Sequence, residues 1–231
     1  MKSFYDVGQE AGAVARACWL NRIYPRLVEL VMNDHIQADA LWGVHGLVHT
    51  VAVAQYAGII TKDTDARIRI LAGVAAICHN TDRLFPDKEE EKLAQYLDET
   101  DLTSEERRIV ILALENHSKR NDPEDSSVCI ILKDADRLGG IGPIGLIRAA
   151  QQGREFPLAD LFLWDANPDA KFSNPSSLAR NVKMLLEWDD ENWLRTPKAK
   201  EIAAKHFQFL RNFQKMAREQ FEEIELFPLS A

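Results

Sequence analysis

Helix-start signals recur along this chain of 231 residues, whereas the alternation of apolar and polar residues that marks β-strands is nearly absent. Thr103-Ser104-Glu105-Glu106 has the pattern of a capping box and opens a segment with apolar residues at helical spacing. Asn174-Pro175 and Thr196-Pro197 each place a capping side chain before a proline, which favours the first turn of a helix. The chain contains no internal repeat, low-complexity tract or linker. These patterns predict an all-α fold and a single domain over residues 1–231.

Apolar periodicity gives the approximate bounds of the other helices. It predicts helices over Ala11–Asn33, Val44–Ile60, Asp65–Cys78, Lys88–Tyr96, Ser126–Leu138 and Ile144–Ala150. The longest connection, Gly153–Asn174, contains prolines and several aromatic residues. We expect it to be an ordered loop over the core.

Charge and cysteine content narrow the class of function. The chain has 28 Lys and Arg residues against 36 Asp and Glu residues, a net charge of −8, so nucleic acid is not an expected partner. Its three cysteines lie in apolar stretches and form no C-x-x-C pair. They are expected to be buried thiols, not a zinc cage or a disulfide framework. Because no signal region or membrane-spanning run is evident, we expect a cytoplasmic protein without a membrane partner.

Several histidines lie at the edges of apolar helices, beside amide or acidic groups. His45 and His49 are four residues apart and share a helix face, so they either bind a metal or serve packing. His79-Asn80 closes a fully apolar helical run. This pair either points at a ligand or ends the helix, where the dipole favours a cation. His35 is expected to be a solvated residue at a helix end.

Two acids, Asp134 and Asp136, interrupt another apolar segment. Carboxylates are costly to bury unless they are paired or coordinate a cation. Two residues on a helix point about 200° apart, so at most one of these acids is expected to bind a metal. The other would pair with Lys133 or Arg137, or hold a metal-bound histidine.

Taken together, these segments resemble the HD-domain superfamily of metal-dependent phosphohydrolases. The resemblance covers residues 44–154 and rests on four elements in order, namely His45-Gly46-Leu47-Val48-His49, Ala75-Ala76-Ile77-Cys78-His79-Asn80, His117-Ser118 and Asp134-Ala135-Asp136-Arg137-Leu138. The last two elements are similar to a branch of small bacterial HD hydrolases that act on nucleotides or other phosphate esters. The resemblance implies a helical bundle with a metal site in its core.

Carried over by position, the resemblance assigns the metal to His49, His79 and Asp136, with Asp134 as the alternative carboxylate. The implied metal is a divalent ion, one of Mn, Co, Mg, Ni, Fe and Zn. His117 is a candidate proton donor or substrate contact, and His45 is expected to lie behind the ligands or line the pocket. The candidate phosphate contacts are Arg83, Lys119, Arg120 and Arg137.

The chain departs from the family pattern at Asn80, which stands in the position of the family's defining aspartate. It also has Gly139 where many relatives carry an acid. An amide keeps a carbonyl oxygen for coordination but removes the negative charge. Asn80 is therefore predicted to be a weakened metal ligand at a catalytic position, and Asp82 is the carboxylate that would take over.

These features predict a metal-dependent phosphohydrolase acting on a small phosphorylated molecule, such as a nucleotide or a related ester, with a homodimer as one open assembly state. Two alternatives are left open. The first is an HD-fold protein, impaired by Asn80, that binds a nucleotide or a protein partner without turnover. The second is a purely structural helical domain.

Overall fold

The computed structural model describes residues 4–152 and 178–224. Within these residues it contains eleven α-helices, one 3₁₀ helix (Trp19–Arg22) and no β-strand, so the predicted all-α fold is confirmed there. The helices are α1 (Phe4–Ala17), α2 (Pro25–Gln37), α3 (Leu47–Ile60), α4 (Ala66–Cys78), α5 (Thr81–Leu84), α6 (Glu89–Asp98), α7 (Ser104–Asn116), α8 (Ser127–Gly140), α9 (Gly142–Gln152), α10 (Leu178–Asp190) and α11 (Pro197–Glu223). None of them is long and apolar enough to span a membrane.

The chain divides into two compact units, residues 1–139 and 140–231. The first unit holds α1 to α7 and nearly all of α8. The second holds α9, α10 and α11. The single domain over 1–231 stays a prediction.

Helix α4 is the central helix of the first unit. Asp65 caps its start by accepting hydrogen bonds from the backbone N–H groups of Arg67 and Ile68. Every residue from Leu71 to Cys78 is buried, because α3 and α7 both pack against this helix. A helix that is apolar on all sides belongs in a core, and the segment that ends in His79 therefore carries this histidine into the interior.

The indole of Trp19 lies between α3 and α4. Its Nε1–H donates to the carbonyl oxygen of Ala54 at 2.8 Å. A Cβ atom at Gly58 or at Gly73 would lie 2.5 Å from the indole ring. The two glycines therefore make the space that lets a large aromatic ring enter the helix pair.

The prediction of one helix over Ala11–Asn33 is wrong. The structure ends α1 at Ala17, inserts a 3₁₀ turn, and starts α2 at Pro25. Proline disfavours the helical conformation of the residue before it, and Tyr24 has a φ of −125° and a ψ of 68°. Pro25 is instead suited to the first position of a new helix.

The long helix α11 dominates the second unit. Thr196 caps it by accepting a hydrogen bond from the N–H of Ala199, and Pro197 occupies its first turn, as predicted. Helices α9 and α10 both pack against α11. The predicted loop Gly153–Asn174 and the Asn174-Pro175 helix start lie outside the described residues.

All three cysteines, Cys18, Cys78 and Cys129, are buried and free, which confirms the prediction of buried thiols. Burial raises the pKa of the Cys78 thiol to about 12. It is therefore a neutral packing group at neutral pH.

Candidate metal centre

Three side chains from distant parts of the first unit converge on one point. His49 comes from α3, His79 follows the last residue of α4, and Asp136 comes from α8. His49 Nε2 lies 3.2 Å from His79 Nε2 and 3.1 Å from Asp136 Oδ1, and His79 Nε2 lies 3.8 Å from the same carboxylate oxygen. Ligand atoms at adjacent positions around one ion, each bonded at ~2.1 Å, lie about 3.0–3.4 Å apart. Two of the three separations lie in this range and the third, 3.8 Å, is wider, so the two imidazoles and the carboxylate form a group that can hold one divalent cation.

The position and protonation of His79 suit a metal ligand. Its Nδ1 lies 2.7 Å from the carbonyl oxygen of Ala76. Because a carbonyl only accepts, Nδ1 carries the hydrogen and Nε2 offers its lone pair to the centre. Burial lowers the pKa of His79 well below its usual value, although the charge of Asp136 acts in the opposite direction. The ring is thus neutral at neutral pH.

Asp136 supplies the charge of the centre. Burial opposes ionisation of its carboxyl group, but the hydrogen bond from His49 and the nearby histidines outweigh burial and lower its pKa. Asp134 is fully buried on the far side of α8. Within the described part of the chain it does not join the ligand group, so the geometry favours Asp136 over the alternative ligand Asp134.

The lysine beside these acids has a different partner from the one predicted. Lys133 Nζ is buried and lies 2.7 Å from a carboxylate oxygen of Asp125, and it also donates to the carbonyl oxygen of Arg120. These contacts tie the segment before α8 to the helix that carries Asp136. The site therefore rests on an anchored helix.

Asn80 is buried and its amide contacts two other side chains. Its Nδ2 donates to Thr50 Oγ1 at 2.9 Å, and its Oδ1 accepts from His45 Nδ1 at 3.2 Å. The structure thus places Asn80 beside the metal ligand His79 with its oxygen already shared with His45. Its service as a metal ligand stays a prediction.

The expectation that His35 is solvated is wrong. Its side chain is buried, with Nδ1 2.7 Å from the carbonyl oxygen of Val31 and Nε2 3.1 Å from Thr50 Oγ1. The signal was present in the sequence, because His35 continues the helical stripe of Leu27, Val28 and Val31. The preceding Asn33-Asp34 pair suggested a helix end, whereas α2 continues to Gln37.

A cavity of about 240 Å³ opens beside His79. His117 lies on its wall, with its ring edge-on to that of His79 and the two ring centroids 5.8 Å apart. Asp82, Glu89 and Glu115 also line the cavity. Burial and the neighbouring carboxylates raise the pKa of Glu89. The structure therefore places two of the predicted residues, His117 and Asp82, on the wall of one cavity.

The predicted phosphate contacts do not line this cavity, and its described lining contains no Lys or Arg. Arg83 is exposed and lies 3.3 Å from Asp82. Lys119 donates to the side chain of Asn116. Arg137 is buried and donates to Asn121, and Arg120 is exposed. Arg83 and Lys119 thus contact residues within three positions in sequence, whereas Arg137 reaches back to the segment before α8.

Comparison with known proteins adds a family and a fold. Residues 46–140 match the family model of the HD domain. Bacillus subtilis YpgQ, solved in complex with ADP, is 20% identical, with a TM-score of 0.62 over 84% of this chain and 96% of that one. A Lactobacillus plantarum protein is 18% identical, with a TM-score of 0.68 over 86% and 98% of the two chains. An HD-superfamily hydrolase from Bacillus thuringiensis is 20% identical, with a TM-score of 0.59 over 85% and 98%.

At these identities the solved structures show a shared fold, and no curated protein sequence matches the chain. The matched family region contains all three converging residues, His49, His79 and Asp136. The chain therefore contains an HD domain over residues 46–140.

Proposed function

We propose that this protein is a metal-dependent phosphohydrolase acting on a small phosphorylated molecule, with nucleotides as the substrate class. The observation that carries the proposal is the convergence of His49, His79 and Asp136, whose nearest ligand atoms lie between 3.1 and 3.8 Å apart. Two imidazoles and one carboxylate leave positions open for a water molecule and a phosphate oxygen. The ADP complex of YpgQ, a protein of the same fold, supports a nucleotide as the substrate.

A divalent cation bound at this centre supplies Lewis acidity, which polarises a phosphorus–oxygen bond and makes hydroxide available at neutral pH. His79 holds its lone pair towards the centre because Ala76 fixes its tautomer. Asp136 stays ionised across the neutral range because its pKa is lowered. Asn80 is neutral. Among His49, His79, Asn80 and Asp136, the formal negative charge therefore comes from Asp136 alone. We therefore expect weaker metal binding than a site with a second carboxylate would give.

Proton transfer is assigned to groups on the cavity wall. His117 faces the cavity beside His79 and is the proposed donor to the leaving oxygen. Asp82 is the proposed acceptor for a proton of the attacking water. Arg83, predicted as a phosphate contact at the catalytic site, is instead proposed to hold Asp82 in place through their ion pair.

The cavity charge affects how a phosphate ester enters. Three carboxylates line the cavity, and like charges repel an uncomplexed phosphate. We therefore propose that a nucleotide enters as its magnesium or manganese complex. Turnover should rise with free divalent ion beyond the concentration that fills the protein site.

A substrate panel tests the function. Metal-stripped protein is incubated with nucleotides and simple phosphate esters in the presence of Mn, Co, Mg, Ni, Fe or Zn, and released phosphate is measured. Asp136→Asn should abolish both metal binding and release, whereas Asp63→Asn, an exposed matched control, should change neither. Absence of phosphate release by the unmodified protein and by Asn80→Asp with every metal would contradict the proposal. Thermal stabilisation by nucleotides without turnover would then support the binding alternative.

A further inference from the structure

A continuous chain of hydrogen bonds runs behind the metal centre through His35, Thr50, Asn80 and His45. His35 Nε2 lies 3.1 Å from Thr50 Oγ1, which accepts from Asn80 Nδ2 at 2.9 Å, and Asn80 Oδ1 lies 3.2 Å from His45 Nδ1. His35, Thr50 and Asn80 are 2%, 0% and 3% exposed. Bulk water therefore does not supply alternative partners along this part of the chain, and each atom must match its neighbour as donor or acceptor.

The carbonyl oxygen of Val31 fixes which atom of His35 donates, at one end of the chain of hydrogen bonds. It lies 2.7 Å from His35 Nδ1 and only accepts, so Nδ1 must carry a hydrogen. Burial lowers the pKa of His35, and the ring carries a single hydrogen. The neighbouring Asp34 acts against this effect, but its carboxylate is bound by Lys92 Nζ at 2.8 Å and Tyr96 OH at 2.7 Å. Nε2 of His35 is therefore an acceptor.

The remaining donors follow in order. Because His35 Nε2 accepts, the Thr50 hydroxyl must donate to it. The Thr50 oxygen is then the acceptor for a hydrogen from residue 80, which Asn80 Nδ2 supplies. At the far end Asn80 Oδ1 accepts from His45 Nδ1–H, since a carbonyl oxygen does not donate. Position 80 thus needs a side chain that donates at one end and accepts at the other.

We propose that Asn80 is a positioning residue: its amide donates to Thr50 and accepts from His45, so the hydrogen-bond direction fixed at His35 also fixes the hydrogen of His45. Position 80 of this chain therefore requires an amide where the HD family has a carboxylate. His45, in the segment before α3, is thereby held with its hydrogen on Nδ1. Which group donates and which accepts along this chain of hydrogen bonds does not depend on catalysis. Any use of His45 on a substrate rests on the proposed phosphohydrolase function.

An aspartate at position 80 breaks the order, because a carboxylate has no hydrogen to give Thr50. If Thr50 keeps donating to His35, two oxygens without a hydrogen between them face each other at about the 2.9 Å of the present contact. If Thr50 turns its hydrogen to the introduced carboxylate, His35 must take up a second proton in a buried position to donate in return. Both outcomes destabilise the folded state.

Histidine NMR of the full, metal-stripped chain tests the donor order. Nitrogen-15 shifts at pH 7.5 should show His35 with one hydrogen, on Nδ1, and His45 with a hydrogen on Nδ1. In Asn80→Asp, His35 should become doubly protonated or lose its bond to Thr50, and the folding equilibrium constant should fall at least tenfold, about 1.4 kcal/mol. The matched control is Asn212→Asp, an exposed amide whose oxygen accepts from Gln208 and whose replacement keeps that bond. It should change neither readout.

Repeating the Asn80→Asp substitution in a Thr50→Val variant keeps the test decisive if Asn80→Asp alone folds poorly. Thr50→Val removes the hydroxyl that demands a donor, so the cost of Asn80→Asp should be at least tenfold smaller in that background. An Asn80→Asp protein with unchanged stability and an unchanged His35 ring would overturn the proposal. So would a cost that is equal in both backgrounds. Neither readout involves substrate, so failure here and failure of the phosphate-release panel are separate results.

Discussion

A Cβ atom at Gly139 would lie 3.0 Å from Cε1 of His49 and 3.1 Å from its Nδ1. Helix α8 therefore approaches the ring of His49 as closely as a residue without a side chain allows. Glycine inside a helix costs about 0.5–1 kcal/mol relative to alanine, so this position gives up local helix stability. The close approach brings α8, and with it Asp136, to the histidine pair.

Gly139→Ala should weaken metal binding about tenfold. The added methyl group pushes the His49 ring away from the point where Nε2 meets His79 and Asp136, and ligand sites tolerate displacements of only about 0.5 Å. Titration calorimetry with manganese measures the change. Gly140→Ala is the matched control, because its Cβ atom would lie 3.4 Å from the nearest atom of Trp188, an ordinary contact. Equal manganese affinity in both variants would show that the absence of a side chain at Gly139 is not needed to position the His49 ring.

His117→Asn should separate metal binding from turnover. His117 lies on the cavity wall and is not one of the three converging residues, so manganese affinity should stay within about twofold of the unmodified protein. Loss of a proton donor lowers kcat by about 10²–10⁴-fold. Calorimetry and phosphate-release kinetics on the same preparation measure the two effects. A parallel loss of metal and activity would instead assign His117 to the ligand shell.

Gly73→Ala should destabilise the first unit by about 1–3 kcal/mol, the usual cost of overpacking a core. The methyl group would lie 2.5 Å from the indole of Trp19, which packing and the bond to Ala54 hold between α3 and α4. Urea unfolding measures the change. Gly43→Ala, where a Cβ meets nothing within 4 Å, is the control and should leave the unfolding midpoint near its original value.

The Arg67–Glu106 pair should make stability depend on pH in the acid range. The hydrogen bond from Arg67, aided by the N–H of Thr103, lowers the pKa of Glu106 from 4.5 to about 2. Because the folded state has the lower pKa, the stabilisation is complete above pH 4.5 and is lost as the pH falls towards 2. Denaturant unfolding across this range should show the difference between the unmodified protein and Glu106→Gln shrinking with acid.

Glutamine retains the capping pattern with Thr103, so the Glu106→Gln substitution removes the charge and one of the two oxygens that accept from Arg67 while keeping the cap. A difference in unfolding free energy that is independent of pH would locate the effect in the cap instead of the ion pair.

Much of the fold and of the candidate site could be predicted because the relevant signals are local. The capping box at Thr103, the cap at Thr196 and the apolar run before His79 depend on neighbouring residues, and each appears in the structure. The order of the family elements singled out His49, His79 and Asp136, and these residues converge. The boundary between α1 and α2 was missed although Pro25 marks it, because the apolar pattern continues across the break.

The amino-acid sequence by itself determined the all-α character and most of the helices, the three converging residues and the departure at position 80. Only the tertiary structure decided that His35 is buried, that the cavity lining described is acidic, and that Asn80 lies between Thr50 and His45. The physical reason is that a hydrogen bond depends on the direction and proximity of two groups. Here those groups come from α2, α3 and the start of α5, which packing brings together.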